Sequence, residues 1–203
     1  KTRLIFAGSA EAYGASFNDT DGPIDEVTPL RPATTYGATK AAADMLLGQM
    51  AQDGLRAVRF RAFNHTGPGQ APAYVVPAFA EQIARIEAGL QPPVVRVGNL
   101  EAKRDFLDVR DVAVAYAGAA DPDADIDGSV FNLASGEARS IRSILDALVG
   151  MSDRPIDVET DPNKLRPSDV PYAAGSNVRI RKHLGWAPEH DFEETLRDTL
   201  NFW

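Results

Sequence analysis

Tyr36-Gly37-Ala38-Thr39-Lys40 opens a run of residues rich in Ala, Leu and Met that extends to Gln52. This composition predicts a helix over residues 36–52. The apolar runs at residues 2–7 and 57–63, one on each side of the helix, are typical of buried strands in a parallel sheet. Strand, helix and strand in this order predict a right-handed parallel crossover, and therefore an α/β fold.

Beyond this unit the predicted elements are shorter and less regular. A loop rich in Gly and Pro extends to residue 72, and a helix is predicted near residues 77–88. Short strands are predicted at residues 94–97 and 130–133. We expect part of this region to form a second, smaller lobe.

Capping residues indicate where several later helices begin. Ser140 precedes an apolar stripe, and Asp191 precedes another stripe that ends with Trp203. Asp108 and Asp111 are interpreted as turn and helix-start residues rather than as catalytic carboxylates. These segments therefore predict helices that pack on a core.

Composition excludes several classes of function. The net charge is −8, with acidic residues spread along the chain, so we expect no nucleic-acid partner. The absence of cysteine excludes disulfides and thiolate chemistry, and it is compatible with a reducing cytoplasm. No apolar run has membrane-spanning length, so a cytoplasmic protein is expected. No metal site is expected, because the three histidines are far apart: His65, His183 and His190.

Tyr36 and Lys40 form the first candidate catalytic pair. Four residues of separation place the phenol and the ammonium on one face of the first helical turn. An ammonium stabilises a nearby phenolate, which makes the hydroxyl a usable general acid or base. The spacing alone is also found on ordinary solvated helix faces, so it needs a partner motif.

Gly8-Ser9-Ala10-Glu11-Ala12-Tyr13-Gly14 supplies that partner at the end of the first predicted strand. Open parallel sheets bind ligands beyond the carboxyl ends of their strands, so the Ser9 hydroxyl and the Tyr36 phenol are expected to converge there. The alternative is that Ser9 is only a turn residue.

These segments, with Pro29-Leu30-Arg31-Pro32 before the tyrosine, resemble the extended short-chain dehydrogenase/reductases. The resemblance implies that Ser9, Tyr36 and Lys40 are the catalytic Ser/Thr, Tyr and Lys of that family. It also implies NAD or NADP as cofactor, in contact with the same three residues and with Phe63.

The second strand leads into Asn64-His65-Thr66-Gly67-Pro68-Gly69-Gln70, where an amide and a flexible backbone can cradle a diphosphate. A simple Gly/Pro turn is the alternative. Within the family, this segment is most similar to the GDP-4-keto-6-deoxy-mannose reductases, whose asparagine lies beside the nucleotide sugar. Guanidinium groups suit phosphate oxygens, and the segments around Arg104, Arg166 and Asp169 also resemble the GDP-sugar branch, which implies substrate-binding roles for these three residues.

The resemblance implies reduction of the 4-keto group of GDP-4-keto-6-deoxy-D-mannose to GDP-D-rhamnose. Tyr36 would protonate the developing alkoxide, and Ser9 would hydrogen-bond the carbonyl oxygen. Glu11 leaves the reaction open, because a carboxylate two residues after the catalytic hydroxyl serves proton abstraction in sugar 4,6-dehydratases. A GDP-mannose 4,6-dehydratase and a nucleotide-sugar 4-epimerase are therefore the alternatives.

The domain boundaries follow from the same resemblance. Residues 1–63, with return elements around 105–135, are expected to belong to a Rossmann-like NAD(P)-binding domain, and residues 64–203 mainly to a nucleotide-sugar-binding lobe. The family's glycine-rich pyrophosphate turn does not occur in the sequence, so we expect an amino-terminal part to be absent from this chain. These residues alone would then bind cofactor weakly and turn over little. A noncatalytic nucleotide-sugar-binding module is the alternative of another class, and a homodimer is expected by analogy.

Overall fold

The computed structural model describes residues 2–165 and 170–203 as an α/β fold. In chain order the strands and helices are β1 (Leu4–Ser9), α1 (Thr35–Gln52), β2 (Ala57–Ala62), β3 (Asn64–Thr66), α2 (Val75–Glu87), β4 (Val94–Val97), β5 (Lys103–Asp108), α3 (Val109–Ala120), β6 (Val130–Leu133), β7 (Ala138–Ser140), α4 (Ile141–Gly150), β8 (Asp157–Thr160), β9 (Tyr172–Ala173), α5 (Val178–Leu184) and α6 (Phe192–Phe202). The predicted fold class is confirmed.

The main sheet has the order β1-β2-β6, with all its strands parallel. Leu4 pairs with Ala57, and Ser9 with Ala62, so β1 and β2 end together at their carboxyl ends. Along β2 most residues are buried, whereas along β1 every residue is exposed or half-buried. Among the described residues β1 is thus an edge strand, and α1 makes the predicted parallel crossover between it and β2.

A second sheet continues beyond the end of β2. There β3 pairs in parallel with β5, and β5 also pairs with β7 and β9. The strands β4 and β8 form a separate parallel pair. Since only Phe63 separates β2 from β3, the chain passes directly from the main sheet into the second one.

Three apolar clusters hold these layers together. Around Phe60 and Phe131, one cluster joins the main sheet to α3 and α5. Another, around Ile83 and Leu145, joins α2, α4 and α6 to β4. The smallest contains Phe63 and lies where the two sheets meet. Burial of such side chains is the main stabilising contribution to the fold.

Most of the predicted elements lie close to their observed bounds. Strands β4 and β6 coincide with the prediction, and Ser140 and Asp191 cap α4 and α6. The loop predicted after residue 64 was partly wrong, because it contains β3. Trp203 does not complete the apolar stripe, since 41% of it is exposed. Within the described parts of the chain, no helix is both long and apolar enough to cross a bilayer.

Candidate active site

Two adjoining cavities lie beyond the carboxyl ends of β1 and β2, with volumes of about 210 and 920 Å³. Both are lined by Ser9, Glu11, Phe63 and Asn64. This is the edge of a parallel sheet at which ligands are expected. Four residues singled out from the sequence therefore lie at the junction of the two cavities.

Ser9 is the last residue of β1 and caps the short 3-10 turn Ala10–Ala12. Its Oγ accepts a hydrogen bond from the backbone N–H of Glu11 at 3.2 Å. An oxygen that accepts in this way can still donate its own hydrogen. The Ser9 hydroxyl can therefore serve as a hydrogen-bond donor to a ligand oxygen in either cavity.

Tyr36 lies in the first turn of α1, where the Thr34 side chain caps the helix by accepting from Gly37 N–H at 2.9 Å. The tyrosine lines the larger cavity and is 54% exposed. Behind it, Lys40 Nζ lies 5.6 Å from the centroid of the Tyr36 ring and donates to the carbonyl of Ala7 at 3.0 Å. The ammonium therefore lies over the Tyr36 ring and is held at the sheet.

Gly37 fixes how closely this helix approaches the Ser9 turn. A Cβ atom on Gly37 would lie 2.5 Å from the carbonyl oxygen of Glu11, well inside van der Waals contact. Only glycine permits such an approach without a shift of the backbone. The start of α1 and the turn after Ser9 are consequently packed backbone to backbone.

Phe63 and Asn64 connect the two sheets. The backbone N–H of Phe63 donates to the carbonyl of Leu133 at 2.9 Å, and only 4% of Phe63 is exposed. A Cβ atom on Gly175 would lie 2.3 Å from the Phe63 ring, so this ring is tightly enclosed. Asn64, by contrast, is exposed at the start of β3. The ring is a fixed wall of the site and the amide is an accessible polar group.

The segment after Asn64 is closed by side-chain hydrogen bonds. His65 Nδ1 donates to the carbonyl of Phe63 at 3.0 Å, and Gln70 Nε2 donates to the carbonyl of His65 at 3.1 Å. Thr66 Oγ1 also donates to Gln70 Oε1 at 2.8 Å. The loop therefore presents a defined backbone to the larger cavity.

Arg104 lines the smaller cavity together with Glu11. Its Nη1 and Nη2 donate to the carbonyls of Lys103 and Val170, both at 2.8 Å. Burial lowers the pKa of Arg104, and the Glu11 carboxylate opposes that shift. A guanidinium keeps its charge under such shifts, so the smaller cavity contains a fixed positive group beside a carboxylate.

Asp105 is a buried carboxylate in the wall of the same cavity, and sequence reasoning did not identify it. It accepts hydrogen bonds from the backbone N–H groups of Ser135, Gly136 and Gly175, and from the Ser135 hydroxyl. Burial raises the pKa of Asp105, and these donors oppose the shift. Because it is so fully bonded, Asp105 ties the loop after β6 to β5.

Arg166 and Asp169, the other two predicted substrate residues, lie outside the described residues. Sequence reasoning also missed Phe17 in the smaller cavity and Tyr74 in the larger one. Neither belongs to a motif that could have indicated it. In residues 2–165 and 170–203 there is no group of three or more His, Asp or Glu side chains placed to hold a metal ion.

The family profile that matches this chain and two of its relatives are named for GDP-sugar enzymes. The family profile described as GDP-mannose 4,6 dehydratase matches residues 1–199. GDP-6-deoxy-D-mannose reductase of Pseudomonas aeruginosa is 33% identical over 206 residues, covering 98% of this chain and 65% of the relative. GDP-mannose 4,6 dehydratase 1 of Arabidopsis thaliana is 29% identical, covering 94% of this chain and 52% of the relative.

A solved structure agrees with the sequence comparison. The fold is similar to RMD from Pseudomonas aeruginosa complexed with NADPH, with a TM-score of 0.90 and 32% identity. That similarity covers 98% of this chain and 65% of the solved chain. The chain thus spans between about half and two thirds of the length of these relatives.

Proposed function

The chain belongs to the GDP-mannose 4,6-dehydratase family of extended short-chain dehydrogenase/reductases, and on this premise we propose that the protein reduces GDP-4-keto-6-deoxy-D-mannose to GDP-D-rhamnose with NADPH or NADH. The main support for the proposal is the junction of the two cavities. Ser9 and Asn64 line both cavities there, and Tyr36 lines the larger one. The 33% identity to a GDP-6-deoxy-D-mannose reductase supports this reaction.

The residues at the junction suit a ketone reduction. When bound, the nicotinamide supplies the hydride. Tyr36 donates its phenolic proton to the oxygen that becomes an alkoxide, and Lys40 stabilises the phenolate that remains. The Ser9 hydroxyl donates a hydrogen bond to the same oxygen as negative charge develops. The larger cavity, lined by Ser9, Tyr36 and Phe63, fits the nicotinamide end of such a cofactor.

The smaller cavity suits the nucleotide diphosphate of the substrate. Arg104 supplies positive charge there, and Asn64 lines both this cavity and the larger one that Tyr36 lines. We assign diphosphate and nucleotide contacts to Asn64, Arg104, Arg166 and Asp169. Held in this way, the sugar carbonyl is oriented toward Ser9 and Tyr36, and such orientation is a large part of catalysis.

The same premise divides the chain by role. Residues 1–63 and the return elements at 105–135 belong to the cofactor-binding domain in this proposal, and residues 64–203 mainly to the nucleotide-sugar lobe. The protein acts in the cytoplasm, in keeping with a chain that has no cysteine and a net charge of −8. Neither nucleic acid nor a membrane is a partner.

A homodimer through α1 is also part of the proposal. Met45, Leu46 and Met50 on this helix are 66%, 61% and 42% exposed, which leaves an apolar stripe on the surface. Apolar stripes of this kind are typical of interfaces. Sedimentation velocity on the intact protein tests it: a dimer that Leu46→Lys converts to a monomer supports the interface, and a monomeric wild type overturns it.

A second candidate is the dehydration of GDP-mannose, which the position of Glu11 favours. Its carboxylate lies at the junction of the cavities, two residues after Ser9. A carboxylate there is suitably placed to abstract a proton next to the ketone. A nucleotide-sugar 4-epimerase would use the same Tyr36 and Lys40.

Product analysis distinguishes these reactions. The intact protein is incubated separately with GDP-4-keto-6-deoxy-D-mannose plus reduced cofactor, with GDP-mannose, and with a UDP-hexose. Stoichiometric oxidation of the cofactor with formation of GDP-rhamnose is expected only in the first mixture. A 4-keto product from GDP-mannose would identify a dehydratase, and an inverted hexose would identify an epimerase. Binding of the GDP-sugar with no turnover and no cofactor binding would identify a noncatalytic module.

A further inference from the structure

A buried network of charged side chains joins α1 to β2. Asp44 on α1 is 2% exposed and Arg61 on β2 is 5% exposed. Arg61 donates to both carboxylate oxygens of Asp44, from Nε at 3.0 Å and from Nη2 at 2.9 Å. Arg59 Nη1 adds a third bond to the same carboxylate at 3.1 Å. A single buried carboxylate thus holds two arginines of one strand.

The network continues from Arg61 to the segment after Ser9. Arg61 Nη1 donates to the hydroxyl of Tyr13 at 2.9 Å and to the carbonyl of Glu26 at 3.1 Å. Tyr13, which is fully buried, donates in turn to Asn132 Oδ1 on β6 at 2.7 Å. Arg61 is therefore bonded at once to the helix, to the segment after β1, and through Tyr13 to a third strand.

The two ends of this network lie next to the two catalytic elements. Asp44 is four residues after Lys40 and eight after Tyr36, which places all three on one broad face of α1. Tyr13 is four residues after Ser9, at the end of the turn that Ser9 caps. The bonds from Asp44 through Arg61 to Tyr13 consequently connect the helix that carries the phenol and ammonium to the turn that carries the hydroxyl.

Stability alone does not account for such an arrangement. Well-packed apolar side chains often stabilise a core as much as a buried ion pair, because removing charges from water is costly. Although burial opposes its charge, hydrogen bonding to Asp44 raises the pKa of Arg61. Burial raises the pKa of Tyr13 to about 12. Arg61 is therefore charged and Tyr13 neutral across the pH range in which an enzyme works, so these two side chains can act as a fixed geometric support.

We propose that Asp44 and Arg61 are positioning residues that set the distance and angle between the Tyr36/Lys40 pair and Ser9. The inference rests on the proposed function, because it assigns these residues a part in that same reaction without contact to substrate or cofactor. Buried polar bonds are directional, so they specify one orientation of α1 on the sheet, which apolar packing specifies less strictly.

Two variants of the intact protein test the inference. Asp44→Asn removes the charge while keeping the shape of the side chain. Tyr13→Phe removes only the hydroxyl that links Arg61 to Asn132, and it keeps the buried ring and therefore the apolar packing of the core. The matched control is Asp127→Asn, because Asp127 likewise binds two arginines, Arg3 and Arg56, but at the opposite end of the sheet.

The readouts are kcat, KM for the nucleotide sugar, and amide hydrogen exchange along α1. We expect kcat to fall about tenfold to hundredfold in Asp44→Asn, since misplacement by about 1 Å can cost a hundredfold, with KM unchanged within about twofold. Tyr13→Phe is also expected to lower kcat, and to accelerate amide hydrogen exchange in the first turns of α1. Asp127→Asn should leave kcat, KM and hydrogen exchange along α1 unchanged.

The outcomes separate the two proposals. Wild-type kcat and wild-type exchange in folded Tyr13→Phe overturn the positioning role, whatever happens to Asp44→Asn. A loss of stability without a change in kcat in either folded variant also overturns it. If the wild type has no turnover, the proposed function fails, and unchanged exchange along α1 in the variants then overturns the positioning role independently.

Discussion

Gly37 and the carbonyl oxygen of Glu11 lie so close together that a Cβ atom on Gly37 would be 2.5 Å from that oxygen. The contact joins the first turn of α1 to the turn after Ser9 through backbone atoms alone. It therefore holds the start of α1, which carries Tyr36, close against the turn that follows Ser9.

Gly37→Ala tests this contact, because two physical effects predict opposite results. Helix propensity alone favours alanine by about 1 kcal/mol. The clash with a backbone oxygen should outweigh that gain, so we expect a lower free energy of unfolding, together with a fall in kcat. Urea denaturation and steady-state kinetics measure both. Gly150→Ala in α4 is the matched control, since a Cβ there meets nothing within 4 Å; greater stability in both variants would contradict the contact.

Ser9→Ala should impair both catalysis and stability. Loss of one hydrogen-bond donor to a developing oxyanion costs about 100-fold or more in kcat. Loss of the cap on the turn Ala10–Ala12 costs about 1 kcal/mol. Ser9→Thr keeps the hydroxyl and should restore most of both. Unchanged kcat in Ser9→Ala, measured beside the exposed helix variant Ser143→Ala, would show that Ser9 is only a turn residue.

Tyr13 should make the protein sensitive to alkali. Its pKa is raised by burial from 10.0 to about 12, so the unfolded chain loses the proton at a lower pH than the folded one. The contribution of Tyr13 to the free energy of unfolding is fully present below about pH 10. It falls by about 3 kcal/mol as the pH rises through about 12. The measurement is the free energy of unfolding between pH 8 and 12, compared with Tyr13→Phe. Equal pH dependence in the two proteins would contradict the burial of the phenol.

The strand, helix and strand unit could be predicted from sequence because two short apolar runs flank a segment rich in the helix-forming residues Ala, Leu and Met. β5 could not, since Lys103–Asp108 begins with three charged residues. Asp105 is buried because distant groups such as Ser135 donate to its carboxylate. Asp108 accepts from the distant Thr195 as well as from the nearby Arg110. Such long-range hydrogen bonds leave no local pattern in the sequence.

The same distinction applies to the candidate site, in which some residues could be predicted from local sequence and others could not. Ser9 and Tyr36 could be predicted to lie close together, because Ser9 ends a parallel strand and Tyr36 lies in the first turn of the helix that follows it. The network of Asp44, Arg61 and Tyr13 could not, since its partners come from three separate elements. One feature of the sequence did indicate the network: Arg59 and Arg61 occupy alternate positions in a strand that is otherwise apolar.

In the proposed reaction, hydride reaches the 4-keto carbon while Tyr36 supplies the proton. The most direct test follows deuterium from reduced cofactor labelled at its transferable position, using the intact protein and GDP-4-keto-6-deoxy-D-mannose. We expect one deuterium at C4 of GDP-rhamnose, and a rate about 100-fold or more lower in Tyr36→Phe, as loss of a general acid predicts. Product without deuterium at C4, or an unchanged rate in Tyr36→Phe, would contradict the proposed reduction.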